Sequence, residues 1–212
     1  MNKSENFKAL LLVSSQCPHC HTMEKLLRER LKKGLLTELD VINVEQFPHM
    51  AKQYGVRSVP FLQFNDFIFN EALTPAELDQ WIDYMKEGSG QSHYIRYLLE
   101  HGQLNKAIEW MEKGKARLRD VIPFLANPNA KMNVRVGIGA ILEYFENTQE
   151  IRAVMPDFIA LLQNSDATIR TDVCYYLSLT HSIDAIEPLK KMLGDTDPEV
   201  RQVAKESIEA LE

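Results

Sequence analysis

Three prolines, Pro123, Pro156 and Pro188, stand 33 and 32 residues apart and constrain the second half of this 212-residue chain more than any other feature. Each opens a matching unit: Val121-Ile-Pro-Phe-Leu-Ala, Val154-Met-Pro-Asp-Phe-Ile and Ala185-Ile-Glu-Pro-Leu-Lys. A polar turn follows each, and then an aliphatic–Arg pair, Val134-Arg135, Ile169-Arg170 and Val200-Arg201. Apolar residues recur three and seven positions past each arginine: Ile138 and Leu142, Val173 and Leu177, Ala204 and Ile208. Self-similarity at this period predicts stacked helical pairs, each burying its apolar face on the next, and so an all-α solenoid. Tyr94–Lys113 reads as one more helical hairpin without the Pro and Arg marks, which suits a terminal cap.

The first half has a different rhythm. Phe7–Val13 is a short continuous apolar run, as a strand covered on both faces should be. Met23, Leu26, Leu27 and Leu31 then share one side of a helix that Gly34 should end. Leu39–Val44 reads as a second strand and Glu45–Tyr54 as a short helix closed by Gly55. Pro60–Phe64, Asn65-Asp66 and Phe67–Phe69 form a hairpin with a two-residue turn. Thr74-Pro75-Ala76-Glu77 carries the marks of a capped helix start, with Leu78, Trp81, Ile82 and Met85 as its buried stripe. The order is β-α-β-α-β-β-α. Gly88–Ser92 is the one linker-like stretch, which divides the chain into an α/β domain at 1–88, a linker at 89–92 and a helical-repeat domain at 93–212.

Composition excludes several classes. A net charge of −6 without a basic half does not suit a duplex or RNA binder. No apolar run approaches the roughly 18 residues of a membrane span, so neither nucleic acid nor a membrane is expected as a partner. Met1–Lys8 lacks the features of an export signal, and the expected compartment is the cytoplasm. Three cysteines cannot build a disulfide-dense secreted scaffold.

Two of them carry the chemistry. Cys17-Pro18-His19-Cys20 follows an apolar strand and opens a helix. A thiol at a helix N-terminus meets backbone N–H groups and the positive end of the helix dipole, which favour the reactive thiolate. The second thiol, one turn on, is placed to attack a mixed disulfide formed at the first. Pro18 at the helix start removes no needed donor, and His19 can add positive charge or a hydrogen bond beside the Cys17 sulfur. The candidate catalytic residues are therefore Cys17, Cys20, His19 and Pro18.

With the strand-to-helix placement, Leu39–Val44, Tyr54–Ser58 and Val59-Pro60 on the page, residues 5–87 closely resemble the thioredoxin family. The resemblance implies that Cys17 is the nucleophile and Cys20 the resolving thiol. It also implies a cis Pro60 facing the pair, with Val59 offering backbone groups to an extended substrate. The size is closer to a glutaredoxin, and Pro-His between the cysteines is the dipeptide of strongly oxidising bacterial disulfide oxidases. Two positions depart from the pattern: Gln16 replaces the usual Trp, and Leu11 replaces a buried acid that serves the second thiol. His19, His21 or water is then left to carry the proton. Asp166-Ala-Thr-Ile-Arg170 and Asp197-Pro-Glu-Val-Arg201 resemble HEAT repeats of the short bacterial kind, in which Asp and Arg line the inner edge and link neighbours. The first unit departs, with Asn129 near the Asp position and about two extra residues in Ala130–Asn133.

The expected function is thiol–disulfide exchange on a protein disulfide substrate or redox partner, without a cofactor, while the solenoid docks a protein partner. The rival is an interaction adaptor whose cysteine pair is a redox switch or vestigial. Cys17–His21 also spells the c-type haem attachment pattern, but that chemistry needs export and the surrounding thioredoxin pattern explains the motif better. One helical turn carrying Cys17, His19, Cys20 and His21 cannot wrap a tetrahedral zinc site alone, so no metal is assigned. His21 and His49 are expected on exposed faces, and Cys174 as a buried packing thiol. Gly137 and Gly139 sit inside a helix as marks of a close helix approach or of a break. Lys113, Lys115, Arg117 and Arg119 form a small basic cluster that reads as a solvated face.

Overall fold

The computed structural model describes residues 7–114 and 117–212. The chain divides into two units, Met1–Gly90 and Gln91–Glu212.

In the first unit, strands β1 (Lys8–Val13), β2 (Glu38–Asn43), β3 (Phe61–Phe64) and β4 (Phe67–Phe69) form one sheet of order β2-β1-β3-β4. β1 runs parallel to β2 and antiparallel to β3, and β3 to β4 antiparallel. Helix α1 (Pro18–Lys32) follows β1, α2 (Pro48–Gln53) follows β2, and α3 (Pro75–Lys86) follows β4. The register decides what meets at the functional edge. Val13 pairs with Asn43 and Leu12 with Phe61, so residues just after β1, just after β2 and just before β3 all lie at one end of the sheet. Leu11, Leu12, Leu62, Phe64 and Phe69 are fully buried, and Trp81 of α3 packs edge-on against Phe69 at 4.9 Å between ring centres.

Local signals act as the sequence suggests at several points. The β3–β4 turn is Asn65-Asp66, with Asn65 at φ 51, and the Asn65 side chain accepts from the Lys8 backbone N–H at 2.8 Å. Thr74 and Glu77 close a reciprocal capping box at the start of α3. Gly34 ends α1 at φ +70.

Three details differ. The helix expected over Glu45–Tyr54 shrinks to Pro48–Gln53, because Asn43 and Glu45 are drawn into side-chain bonds with the turn after β1. Arg30 is buried on α1, where it donates two bonds to the Asp79 carboxylate at 3.0 and 2.9 Å and one to the Pro75 carbonyl, which ties α1 to the start of α3. The expected linker at 89–92 is mostly helix: Gly90 begins α4 (Gly90–Glu100). A Cβ there would come within 2.9 Å of the Phe67 ring, so this glycine permits a close approach to β4.

The second unit is all-α. α4 and α5 (Leu104–Glu112) form the unmarked hairpin, and the marked pairs are α6 (Ile122–Leu125) with α7 (Met132–Tyr144), α9 (Met155–Leu161) with α10 (Ala167–Ser178), and α11 (Ile186–Met192) with α12 (Pro198–Leu211). α8 (Gln149–Ala153) runs into α9, as 3₁₀ turns at Leu118–Val121 and Ile183–Ala185 run into α6 and α11. The three prolines explain these breaks. Pro lacks the N–H that would continue the ladder and clashes with the carbonyl four residues back, so the chain restarts a helix just before each one. Gly137 and Gly139 leave α7 unbroken. A Cβ on Gly137 would meet the buried Leu99 at 2.6 Å, so this glycine lets α7 approach α4.

The repeat signature divides its work between two residue types. Asp166 and Asp197 each cap their own helix, accepting from Thr168 and Ile169 N–H and from Glu199 and Val200 N–H, and act on the arginine of the preceding repeat through charge alone. The arginines make the links. Arg170 grips Asp195 with two bonds of 2.8 Å and donates to the Asn164 and Ser165 carbonyls, while Arg135 reaches Asp172 at 2.5 Å. Asn127, Asn164 and Asp195 each accept from the backbone N–H two residues on, a recurring turn that sets up the caps. In the first repeat the cap position falls to Lys131, which makes no side-chain capping bond.

Candidate functional site

Cys17 is the N-cap of α1, half-buried and in extended conformation, and its sulfur accepts from the Cys20 backbone N–H at 3.2 Å. Pro18 occupies the first helical turn, and Gln16, Pro18, His19 and His21 are exposed around it. The Cys17 thiol donates to the Val59 carbonyl at 3.7 Å. Val59-Pro60 is a cis peptide, and Pro60 is buried. The fold thus brings together residues separated by 42 positions: Cys17 and Cys20 from the β1–α1 junction, Val59 and Pro60 from the approach to β3. Both thiols are free.

The two sulfurs live in different surroundings. Cys20 is 2% exposed, and its thiol is pushed up to about 11. Burial is the main cause, the hydrogen bond with the Cys17 sulfur adds to it, and a backbone hydrogen bond from Ser14 works the other way. Such a thiol stays protonated near neutral pH. Leu11, where an acid would have served Cys20, is fully buried in the core.

Polar residues absent from the sequence expectations hold the turn. The Ser14 carbonyl accepts from Cys17 N–H at 3.3 Å, its hydroxyl oxygen accepts from Gln16 N–H at 3.2 Å, and the same hydroxyl donates to Glu45 at 2.7 Å. Asn43 donates to the Ser15 hydroxyl and accepts from Glu45 N–H. The Ser14 and Ser15 hydroxyls hold the Glu45 carboxyl below the usual carboxylate range. The visible signal is a pair of polar dipeptide ends, Ser14-Ser15 and Asn43-x-Glu45, terminating two adjacent parallel strands.

The other singled-out residues fall as follows. His49 is exposed. Among the described residues no three His, Cys, Asp or Glu side chains converge on a metal position. Cys174 is fully buried on α10, and burial pushes its thiol up to about 12, the state of a packing residue. Of the basic cluster, Lys113 pairs with Glu109 and Arg119 with Asp157, while Lys115 lies outside the described residues. No helix of the described residues is long and apolar enough to cross a membrane.

Residues 8–83 match the thioredoxin domain family, and residues 118–209 match the family of HEAT repeats. The chain joins a thioredoxin-like domain to HEAT repeats. No curated protein matches it. The thioredoxin match spans the cysteine pair and Pro60, and the HEAT match spans all three proline-marked units of the solenoid. These families support a redox role, a protein-interaction role, or both together.

Proposed function

We propose that the thioredoxin-like domain is a thiol–disulfide oxidoreductase acting on protein disulfides in the cytoplasm, and that the HEAT repeats dock the substrate or a redox partner. The observation that carries this reading is the contrast between a half-buried Cys17 at a helix N-cap and a buried, protonated Cys20 one turn away, with the Val59 carbonyl against the first sulfur. The Cys17 thiolate attacks one sulfur of the substrate disulfide. A Cys17–substrate S–S bond forms, the substrate S–S bond breaks, and the first substrate sulfur leaves as a thiolate that takes a proton. Cys20 then gives up its proton and attacks the Cys17 sulfur, releasing the second substrate thiolate. The substrate gains two electrons and the Cys17–Cys20 pair becomes a disulfide, which an external dithiol re-reduces. Val59 and Pro60 line the approach to Cys17, and the open surroundings of Gln16, Pro18 and His19 suit a macromolecular disulfide.

Turnover tests this reading. The protein should catalyse reduction of an insulin-type disulfide with dithiothreitol, Cys17→Ser should abolish turnover, and Cys20→Ser should accumulate the mixed disulfide. Unchanged turnover in Cys17→Ser would sink the enzyme reading and leave an adaptor with a redox switch. A redox titration then gives direction: a potential near about −270 mV marks a reductase and one near about −120 mV an oxidase.

A further inference from the structure

Helices α7 and α10 lie side by side and leave between them an open groove of about 450 Å³. Its floor is small, at Gly139 and Ala140, and one wall is apolar, at Met132 and Val136. These two side chains are 74% and 64% exposed, an unusual cost for adjacent apolar residues on one helix stripe. The neighbouring surface continues the pattern with Tyr144 and Tyr175, both exposed. Tyr144 donates to Glu112 at 2.5 Å and Tyr175 to Glu143 at 3.0 Å, so each tyrosine spans to the helix before it in the stack and turns a carboxylate toward the same face.

The lining of the groove holds two carboxylates, Asp172 and Glu143, against one cation. Arg135, the cation in the groove, is spent on Asp172. Glu143 is bonded to a hydroxyl, a neutral donor. Carboxylates along an apolar groove repel phosphates and anionic lipid headgroups and attract ammonium and guanidinium groups. From Met132 to Glu143 the stripe runs roughly 16 Å at about 1.5 Å per residue, the length of about five residues of extended chain.

We propose that the α7–α10 groove binds a cationic segment of a partner protein, with an apolar side chain of that segment seated between Val136 and Ala140 and a Lys or Arg residue facing Glu143. This rests on the reading of the HEAT repeats as the docking unit and gives that unit a ligand chemistry. The cysteine chemistry is independent of it.

The test uses the full chain and three fluorescein-labelled peptides of equal length, in which leucine alternates with lysine, serine or glutamate, read by anisotropy. The lysine–leucine probe should bind saturably, and its affinity should fall at least about tenfold between 0.05 and 0.5 M salt, since screening shortens the reach of these charges to a few ångströms. Glu143→Lys should weaken it by about tenfold or more, as should Val136→Asp, with circular dichroism confirming the fold of each variant. Glu24→Lys, an equal charge change in the other unit, should leave it within about twofold, which separates this groove from general attraction to an acidic protein. Hydrogen exchange should slow in α7 and α10 when the probe binds. If the serine–leucine probe binds as tightly and is lost in Val136→Asp, the docking reading survives and the cationic chemistry is overturned. If no probe binds, or if the charge reversals in the two units act alike, the proposal is overturned.

Discussion

The two units use contacts of similar reach in sequence but arrange them differently. In the thioredoxin-like unit Cys17 meets Val59 across 42 positions and Ser14 meets Glu45 across 31, and each of these contacts occurs once. In the solenoid Arg170 meets Asp195 across 25 positions and Arg135 meets Asp172 across 37: equivalent arginines reach to the next repeat, one to a turn and one to a helix. A sheet whose every strand is pinned by a different contact has no part that can be lost alone. A stack of repeats touches mainly its neighbours, so damage should stay near its origin.

That contrast can be broken by experiment. Leu62→Ala, in the centre of the sheet, should cost about 2–5 kcal/mol, the range for truncating a buried leucine. Protection from hydrogen exchange should fall together across all four strands and α1, and a loss confined to β3 would contradict the all-or-none picture. Asp195→Ala removes a largely buried acceptor that takes two bonds from Arg170, and should cost about 2 kcal/mol. Here exchange should quicken in α10 to α12 while α4 and α5 keep their protection. Equal quickening in all the solenoid helices would show that the stack melts as one body.

Alkali gives a smaller and graded comparison. Cys20 and Cys174 have folded-state values of about 11 and about 12, raised from the ordinary 9.0, so an unfolded chain releases these protons first. The stability each contributes is fully present below about pH 9 and drains away as pH rises through its folded value. Melting temperature should therefore sag above pH 9, and Cys174→Ala should flatten that sag in the solenoid transition while leaving it in the other. The smallest expected effect is a gain. Lys131→Asp supplies the capping carboxylate that α7 lacks, and should stabilise by a few tenths of a kcal/mol, because a cap worth about 1 kcal/mol is offset by the lost Lys131–Glu100 pair. Thermal melts of the single variant check it.

These differences also explain what could be read in the chain beforehand. The solenoid declares itself by self-comparison, since Pro123, Pro156 and Pro188 recur in matching contexts. Cys17, Cys20 and Pro60 are visible because their chemistry demands fixed positions at a strand end and a helix start. What stays hidden is the choice of tertiary partner. Nothing in the local pattern of α1 says that Arg30 turns inward to Asp79, or that Asp195 rather than Asp197 receives Arg170. Glu45 looked like a helix-starting residue and is instead bonded to Ser14. Gly90 reads as part of a linker-like stretch, and it opens α4 against the Phe67 ring.

The placement of Cys174 has a practical consequence. A fully buried sulfur in the middle of α10 can meet an alkylating reagent only when that helix comes away from its neighbours. The chain therefore carries a stopwatch for opening of its own repeats. In a Cys17→Ser, Cys20→Ser background, the labelling rate of the one remaining thiol counts those openings directly, and any ligand that seals the stack will slow the clock.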